Sequence, residues 1–400
     1  MNTVEVGDLA IGDGAPPRIM GVLNVSRESP YDPSVYDDPQ AAARYVESEL
    51  VAEGADIVDV GLESANKRFE TLSAREELER LDLAIETVEW VDADVVFSIE
   101  TRYASVARRA LESGFDMVND VCGFADPEMP AVAREHDAPV VKMAGPNDLE
   151  RPGAVGDVDW ASRRSAEWAR EATYVDEVYA ALEGGELTER TIVDPAFGGW
   201  SATKTLEDDR ETFRRLREFR ALDRPILVSI NRKNFLKDVV DRDTAGALPA
   251  SLGATAMAVA RGAHVLRTHD VAETRDAARI GAAFARDRVR RAHFEERDVT
   301  TDAELARHVA RAGGDPTRMS GVERVATVEE LGPDERSRLR TAAAEAGLTV
   351  EGEDRLVLTG PADAFASLAA GLTPRDGALE SVTAGARRLA NNEKTYTGWG

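Results

Sequence analysis

Polar and charged side chains follow eight short apolar segments of the chain, and their types suit the binding of one ligand. They are Asn24, Glu63, Glu100, Asn119, Asp120, Lys142, Asp194, Asn231, Arg232, Lys233, Arg267, His269 and Asp270. Carboxylates and an amide suit the donor-rich edge of a heterocycle, because their oxygens accept hydrogen bonds. Arginine, histidine and an asparagine suit an anionic group, because a guanidinium can donate two parallel hydrogen bonds to a phosphate. The pattern predicts a ligand with a donor-rich heterocycle and a phosphate-like end.

A turn is the alternative explanation of any single position in this set, because Asn and Asp favour turns for local reasons. Local turn preferences do not explain why all eight apolar segments end in polar residues that also include Lys, Arg and His. The whole set therefore favours a binding site.

The eight apolar segments predict strands that are buried on both faces, because their hydrophobicity is nearly continuous. They span residues 19–25, 56–62, 95–100, 116–120, 139–143, 191–194, 226–230 and 263–268. The helices predicted between and after them span residues 39–53, 74–91, 104–113, 127–136, 160–183, 206–221, 248–261 and 271–286. Eight strand–helix pairs predict an α/β fold, a (β/α)8 TIM barrel with its active site at the C-terminal ends of the strands. A doubly wound open sheet is the alternative.

A charged segment at residues 289–303 lacks periodic apolar positions, and we interpret it as a linker. The chain is therefore expected to have a barrel domain at 1–290 and a small C-terminal α/β domain at 304–400. In the second region the pattern predicts helices at 303–312, 333–346 and 362–370, and strands at 321–327 and 355–359. This region shows no catalytic motif, so structural packing or a dimer contact is its expected role.

The composition is strongly acidic, with 74 Asp and Glu residues against 49 Lys and Arg residues and a formal net charge of −25. Such a surface repels nucleic acids and anionic membranes. Metal binding or avoidance of acidic substrates is one explanation. Because the acids are spread along the chain, adaptation to high salt is favoured, since salt screens their repulsion. We therefore expect a halophilic source, such as a halophilic archaeon.

Cys122 is the only cysteine, so no internal disulfide and no CxxC zinc motif can form. The chain has no apolar run of about 18 residues, as a membrane-spanning helix would need. Residues 1–18 carry three acids and no apolar signal region. A soluble, cytoplasmic protein is the expectation.

Several motifs resemble the signatures of the dihydropteroate synthase family. The first two strands contain IMGVLNVSRES and GADIVDVGLES, and the shorter motifs VND, VDP and SINRKNF follow in the family's order. The most extensive match is ASLGATAMAVARGAHVLRTHDVAET, which includes the last predicted strand. The resemblance covers approximately residues 18–285 and implies the (β/α)8 barrel. It also implies the condensation of p-aminobenzoate with 6-hydroxymethyl-7,8-dihydropterin diphosphate, with release of diphosphate.

The resemblance implies a role for each matching residue on the pterin side of the site. Asp194 would accept hydrogen bonds from the 2-amino group and the adjacent ring N–H of the pterin, and Asn119 would bind the same edge. Lys233 would contact the pterin carbonyl and lie near the aminobenzoate. Phe197 and Met143 would line the apolar walls.

On the diphosphate side, the resemblance implies that Arg267, His269 and Asn24 hold the leaving group, with Asn24 acting partly through Mg²⁺. Mg²⁺ prefers oxygen ligands and keeps several waters, so few protein ligands are needed. The charge that develops on the departing diphosphate is the main barrier, so Lys233, Arg267 and His269 are the expected catalytic residues.

Three positions depart from the family pattern. Glu100 stands where the family has a pterin-binding aspartate, and Ala65-Asn66-Lys67 replaces Thr-Arg-Pro. Ser26-Arg27-Glu28 replaces Thr-Pro-Asp after the first strand. These changes fall on the side expected to bind the second substrate.

Two other functions stay open from the sequence. One is a pterin-dependent methyltransferase on the same barrel, which would use a methyl-tetrahydropterin and a corrinoid partner but would not need Arg267 or His269 for a diphosphate. The other is a non-catalytic pterin-binding paralogue, suggested by Glu100 and the altered loop. The family resemblance also suggests a homodimer through the last barrel helices, near residues 248–261 and 271–286.

Overall fold

The structure is a computed structural model, and it describes most of the chain. The described residues are 3–25, 34–63, 71–145, 149, 155, 158–198, 203–285, 290–291, 294–295, 297, 299–318, 321–328, 330–353, 356–372 and 378–390. Clustering of contacts divides the chain into two compact units, Met1–Asp287 and Arg288–Gly400. No helix in the described ranges is long and apolar enough to cross a membrane.

The first unit opens with a short antiparallel hairpin, which eight parallel strands follow. The hairpin strands are β1 (Val4–Val6) and β2 (Leu9–Ile11), and the parallel strands are β3 (Arg18–Asn24), β4 (Ile57–Gly61), β5 (Val96–Thr101), β6 (Met117–Asp120), β7 (Val140–Met143), β8 (Thr191–Asp194), β9 (Leu227–Val228) and β10 (Val265–Thr268). The sheet order is β8-β7-β6-β5-β4-β3-β10-β9. Its two ends meet where Val193 forms a parallel bridge with Ile226. This ring confirms the predicted barrel, and the doubly wound sheet is wrong.

Helices surround the barrel. They are α1 (Pro39–Tyr45), α2 (Ala74–Trp90), α3 (Ala104–Leu111), α4 (Met129–Glu135), α5 (Trp160–Arg163), α6 (Ala166–Glu171), α7 (Tyr174–Glu183), α8 (Leu206–Arg214), α9 (Asn234–Val240), α10 (Leu248–Ala260) and α11 (Val271–Ala283). A π-helical segment (Val46–Val51) continues α1, and 3-10 turns lie at Leu216–Leu222 and Ala245–Ala247.

The single helix predicted at 160–183 is wrong, because the structure has three helices there. Ser165 caps α6 by accepting a hydrogen bond from the backbone N–H of Trp168. Thr173 caps α7 in the same way through Asp176. Each cap starts a new helix, since its side chain satisfies backbone donors that a continuous helix would pair with carbonyls.

The barrel interior is built in layers. The lowest layer is apolar and packs against the hairpin; its members are Met20, Ile57, Met117, Val141, Ile192, Leu227 and Val265, together with Val4, Val6 and Ile11. Because successive side chains of a strand point to opposite faces, the residues two positions further on also point inward. They include Asp59, Asn119, Met143, Asp194 and Arg267. Polar groups therefore lie directly above an apolar floor.

The second unit is a small α/β structure. Its elements are β11 (Arg290–Arg291), β12 (Phe294–Glu295), α12 (Asp302–Arg311), β13 (Glu323–Val328), α13 (Pro333–Glu345), β14 (Thr349–Glu351), β15 (Leu356–Pro361), α14 (Ala362–Gly371) and α15 (Ala378–Ala390), with a 3-10 turn at Pro316–Arg318. The antiparallel sheet has the order β13-β15-β14. Leu339, Leu358 and Phe365 belong to its core. The sequence did not predict β14 or α15.

Candidate active site

Asp59 on β4 is the central polar residue of the barrel interior, and its carboxylate is fully buried. One oxygen, Oδ1, accepts a hydrogen bond of 2.7 Å from Ser98 Oγ. The other, Oδ2, accepts from Asn119 Nδ2 at 2.9 Å and from Arg267 Nε at 2.7 Å. Such partners offset the cost of burying a polar group away from water. Sequence reasoning missed Asp59 because it lies in the middle of a strand and not at its end.

Arg267 on β10 connects two acidic residues. Besides Asp59, it contacts Glu100, whose Oε2 lies 2.6 Å from Nη2. Burial alone would lower the pKa of Arg267, but Glu100 and Asp59 outweigh burial and raise it above its ordinary value. Burial also raises the pKa of Glu100, although Arg267 opposes that rise. The arginine is therefore a fixed cation that is already shared between two carboxylates.

Asp194 and Lys233 form the second part of the site. The carboxylate of Asp194 accepts a 2.8 Å hydrogen bond from the backbone N–H of Ala196. Burial raises the pKa of Asp194 to about 6, opposed by that N–H and by Lys233 and Arg267. Burial lowers the pKa of Lys233 to about 8, and Arg267 lowers it further while Asp194 opposes the change. Both groups therefore titrate near neutral pH, as is common at functional sites.

A buried ion pair between Lys204 and Asp209 supports the loop that follows β8, and the sequence did not predict it. Lys204 Nζ lies 2.6 Å from Asp209 Oδ1 and donates a hydrogen bond of 2.6 Å to the carbonyl of Ala196. Asp209 in turn accepts from the backbone N–H of Gly198 at 3.1 Å. A Cβ atom on Gly198 would lie 3.2 Å from Lys233 Nζ, and the φ of Gly198 is +113°, so glycine suits this close approach.

Phe197 is buried in this loop and packs against the helices. Its ring stacks on Phe235 at 5.7 Å and meets Phe213 edge-on at 6.1 Å. These contacts anchor the loop to α8 and α9, and the wall that Phe197 is expected to give a ligand stays a prediction. Met143 is buried as well and pairs in register with Asp194 across β7 and β8.

The loops after β9 and β10 are tied together beside His269. Arg232 donates two parallel hydrogen bonds of 2.8 Å to Asp270, from Nε and from Nη2. Asn231 Nδ2 donates to the same carboxylate at 2.8 Å. Burial, aided by Arg267, lowers the pKa of His269 to about 3. His269 is therefore neutral at pH 7, and a neutral imidazole donates from one nitrogen only.

Asn24 ends β3 with its amide oxygen facing the barrel interior. Its Nδ2 donates a hydrogen bond of 2.8 Å to Ser34 Oγ. A Cβ atom on Gly61 would lie 3.0 Å from Asn24 Oδ1 and 3.9 Å from Glu100 Oε1, so both oxygens face the same point. No cluster of three or more His, Cys, Asp or Glu residues suited to a metal occurs in the described part of the chain. A single amide oxygen fits Mg²⁺ that takes its other ligands from a diphosphate and water.

Two of the polar strand ends do not belong to the site. Lys142 points to the helix layer, where Nζ donates to the carbonyl of Ala181 at 2.8 Å and to that of Gly184, at the C-terminus of α7. Asp120 accepts from the backbone N–H groups of Cys122 and Phe124 and so stabilises its own turn. The local turn explanation is correct for Asp120, and Lys142 stabilises a helix end.

Glu63 also has a structural partner. Its carboxylate lies 2.6 Å from Nη1 of the buried Arg102, and Nη2 of Arg102 donates to the carbonyl of Leu72 at 2.6 Å. Arg102 thus connects the chain on both sides of residues 64–70. Those residues, with Ala65, Asn66 and Lys67, lie outside the described part, as do residues 26–33 with the substitutions at Ser26, Arg27 and Glu28.

Comparison with known proteins identifies the family. A family described as pterin binding enzymes matches residues 20–269. A dihydropteroate synthase of a Synechocystis species is 33% identical over 273 residues, which are 67% of this chain and 90% of that protein. The chain belongs to the dihydropteroate synthase family. A probable bifunctional folylpolyglutamate synthase/dihydropteroate synthase of Halobacterium salinarum is 36% identical over 271 residues, but this match spans only 32% of that longer protein.

Solved structures of the dihydropteroate synthase family have the same fold. One from Coxiella burnetii, in complex with pteroic acid, has a TM-score of 0.56 and 29% identity over 70% of this chain and 98% of its own. One from Thermus thermophilus, in complex with 4-aminobenzoate, has a TM-score of 0.54 and 32% identity over 70% of this chain and 99% of its own. The matches to these two structures and to the Synechocystis protein therefore span 90% or more of those chains and about two thirds of this one.

Proposed function

We propose that this chain is a dihydropteroate synthase that condenses 6-hydroxymethyl-7,8-dihydropterin diphosphate with p-aminobenzoate and releases diphosphate. The observation that carries the proposal is the clustering of four polar side chains above the apolar floor. Asn119 and Arg267 share Asp59 Oδ2 as a partner, and Asp194 and Lys233 lie near enough to Arg267 for it to affect their pKa values. Acceptors and cations are both present there, as a ligand with a donor-rich edge and an anionic end requires.

The pterin edge would lie against Asp194 and Asn119. Ionised Asp194 accepts from the 2-amino group and the neighbouring ring N–H, and binding of these donors favours its charged form. Protonated Lys233 would donate to the pterin carbonyl. Since Lys233 and Asp194 oppose each other's pKa shifts, each helps to keep the other charged.

In the reaction, the lone pair of the aromatic amine forms a C–N bond to the pterin methylene group. The C–O bond breaks, its electron pair leaves with the diphosphate, and the amine gives up a proton to solvent. Arg267 would stabilise the charge that develops on the leaving group, and His269 would donate one hydrogen bond to it. Asn24 would supply an oxygen ligand to Mg²⁺, which would add positive charge beside the diphosphate. Holding the two substrates in line lowers the barrier further.

The direct test is to incubate the full chain in molar KCl with the dihydropterin diphosphate, p-aminobenzoate and Mg²⁺. We expect diphosphate and dihydropteroate to form in equal amounts. Pterin binding without product would instead identify a non-catalytic pterin-binding paralogue. Product formation from a methyl-tetrahydropterin and a corrinoid acceptor would identify a methyltransferase, but that reaction has no diphosphate for Arg267 and His269 to bind.

We also propose that the protein is a homodimer through α10 and α11. Large apolar side chains are exposed there: Met257 is 48%, Ile280 57% and Phe284 83% exposed. Exposed apolar side chains grouped on neighbouring helices mark an interaction surface. Light scattering should give twice the chain mass, and Phe284→Glu should lower it toward that of one chain. A single-chain mass for the unaltered protein would refute the dimer.

The acidic composition supports a further proposal, a halophilic and cytoplasmic origin. The excess of acids over bases leaves the surface self-repelling at low ionic strength. Thermal unfolding midpoints should rise steeply from low to molar KCl. A midpoint independent of KCl concentration would contradict adaptation to salt.

A further inference from the structure

Asp59 accepts hydrogen bonds from the side chains of Ser98, Asn119 and Arg267. The bond from Asn119 limits which group of a ligand this amide can bind. Asp59 Oδ2 is the partner of Asn119 Nδ2 at 2.9 Å, and no other hydrogen bond of the Asn119 side chain occurs among the described residues. A carboxylate can only accept, whereas an amide has one donor end and one acceptor end. The NH₂ end of Asn119 must therefore face Asp59.

The acceptor end of Asn119 is left for the ligand. If the amide were turned by 180°, its oxygen would face the Asp59 oxygen, and two buried acceptors would be opposed without a proton between them. The orientation is thus fixed by a neighbour that does not itself need to touch the ligand. Asn119 then keeps Oδ1 as an acceptor on the end of the amide away from Asp59.

The same Oδ2 of Asp59 also accepts from Arg267 Nε at 2.7 Å. The three residues come from three strands, with Asp59 on β4, Asn119 on β6 and Arg267 on β10. One buried atom thus fixes both a group assigned to the heterocycle edge and the cation assigned to the anionic end.

We propose that Asp59 is a specificity-determining residue: by fixing the Asn119 amide, it makes the site select heterocycles that present an N–H donor at that edge. The inference rests on the proposed function, because it takes Asn119 as a contact of the pterin edge. Asp59 acts through Asn119 and Arg267 and is a positioning residue.

The test compares two ligands that differ at one group, 6-hydroxymethylpterin and 6-hydroxymethyl-lumazine. The first has a 2-amino donor and the second has a 2-oxo acceptor at the same place. Both dissociation constants are measured by calorimetry on the full chain. Unaltered protein should prefer the pterin by on the order of 100-fold, since a site built for a donor rejects the analogue that lacks it. A protein that does not prefer the pterin would refute the proposed function itself.

Two control variants keep the shape of the side chain. Asp59→Asn can still turn its oxygen toward Asn119 and Arg267, because its NH₂ group can donate to the Ser98 hydroxyl and the arginine only donates. Ser98→Ala leaves the carboxylate in place. Both controls should therefore keep most of the preference for the pterin.

Asp59→Leu removes the acceptor that faces Asn119 Nδ2, so the amide is no longer held in one orientation. The pterin preference should then fall by about tenfold. If Asp59→Leu folds and binds more weakly but keeps the same preference, Asp59 is structural only. Asn119→Leu, which is close to isosteric and leaves Asp59 in place, should lose the preference by a similar factor, and adding Asp59→Leu to it should lower the preference no further. An unchanged preference in Asn119→Leu would refute the proposal even if Asp59→Leu fails to fold.

Discussion

The barrel has a closed end, where the β1–β2 hairpin packs, and an open end at the C-termini of the parallel strands. Each end contains a buried aspartate paired with an arginine, Asp13 with Arg220 at the closed end and Asp59 with Arg267 at the open end. The two pairs differ in whether the groups around them are assigned to a ligand. At the closed end, Asp13 contacts Arg220 and His264, both at 3.2 Å. His264 uses both ring nitrogens, because Nδ1 also accepts from the backbone N–H of Ile226 at 3.0 Å. These contacts tie the chain that follows the hairpin to the barrel.

At the open end, the groups around Asp59 have strongly shifted pKa values. Burial takes the pKa of Asp194 up to about 6, that of Lys233 down to about 8 and that of His269 down to about 3. Such shifts mean that burial is not fully offset by protein partners. Buried groups with structural roles, such as Asp120 and Lys142, have shifts of similar size, so position separates the two clusters: the Asp59 cluster lies toward the C-terminal ends of the strands, where barrel enzymes bind their ligands. Substitutions at matched positions can test that distinction.

The largest effect is expected for Asp194→Asn. An amide at this position keeps one acceptor but directs its NH₂ group at the second donor of the pterin, so pterin binding should weaken on the order of 1000-fold. Calorimetry with 6-hydroxymethylpterin measures it. The matched control at the closed end is Asp13→Asn, which should lower the unfolding temperature and leave pterin binding unchanged. Normal pterin binding by Asp194→Asn would show that the site is assigned wrongly.

Arg267→Ala should chiefly reduce turnover. Loss of the fixed cation at the leaving group should lower kcat by about 100-fold, while the KM for the pterin substrate changes much less. Steady-state assays of diphosphate release separate the two parameters. Arg220→Ala is the closed-end counterpart and should affect stability without changing kcat. A larger change in KM than in kcat for Arg267→Ala would contradict a role at the leaving group.

The pH dependence should be bell-shaped. Catalysis needs Asp194 ionised and Lys233 protonated, so kcat/KM should fall about tenfold per pH unit below about 6 and above about 8. Since burial raises the pKa of Asp194 above its unfolded value, protonation of this group favours the folded state. Activity should thus be lost below pH 6 without a loss of stability from Asp194.

Lys233→Arg provides the control for the alkaline side, because arginine stays protonated. The decline above pH 8 should disappear in this variant, whatever its absolute rate. A decline that persists unchanged would assign the alkaline limb to another group.

A smaller effect is expected for Glu100→Asp, which restores the residue type that the family pattern has. The shorter side chain should lose its contact with Arg267 Nη2, and the released guanidinium should bind free diphosphate about threefold more tightly. Inhibition by diphosphate measures the change. Glu100→Gln keeps the length and removes the charge, so tighter inhibition in Glu100→Gln but not in Glu100→Asp would identify charge and not reach as the cause.

Much of the barrel could be predicted from the sequence, because buried parallel strands are continuous apolar runs. The predicted strand 191–194 coincides with β8, and the prediction 19–25 differs from β3 by one residue at each end. The hairpin of β1 and β2 was missed, since three-residue strands have too little pattern. The break between α5, α6 and α7 was missed because Ser165 and Thr173 were not recognised as caps.

The site was predicted in part, and the errors have one physical cause. The expectation that site residues follow strand ends selected Asp120 and Lys142, whose side chains face the helices. It omitted Asp59, whose side chain faces the barrel interior. Successive side chains of a strand point to opposite faces, which separates inward-facing from outward-facing residues. Asn119 lies two residues after the inward-facing Met117 and also points inward, whereas Asp120 lies three residues after it and points to the helices. The Lys204–Asp209 pair could not be predicted, because it depends on how the loop after β8 folds back on α8.

The hairpin packed under Met20, Ile57 and Val265 has a consequence for kinetics. Because the hairpin covers one end of the barrel, ligands can enter and leave only at the other end, where the parallel strands have their C-termini. The groups assigned to the heterocycle lie deepest, just above the floor. A ligand bound there cannot leave while a second ligand occupies the site above it. The order in which ligands bind therefore determines the order in which they are released.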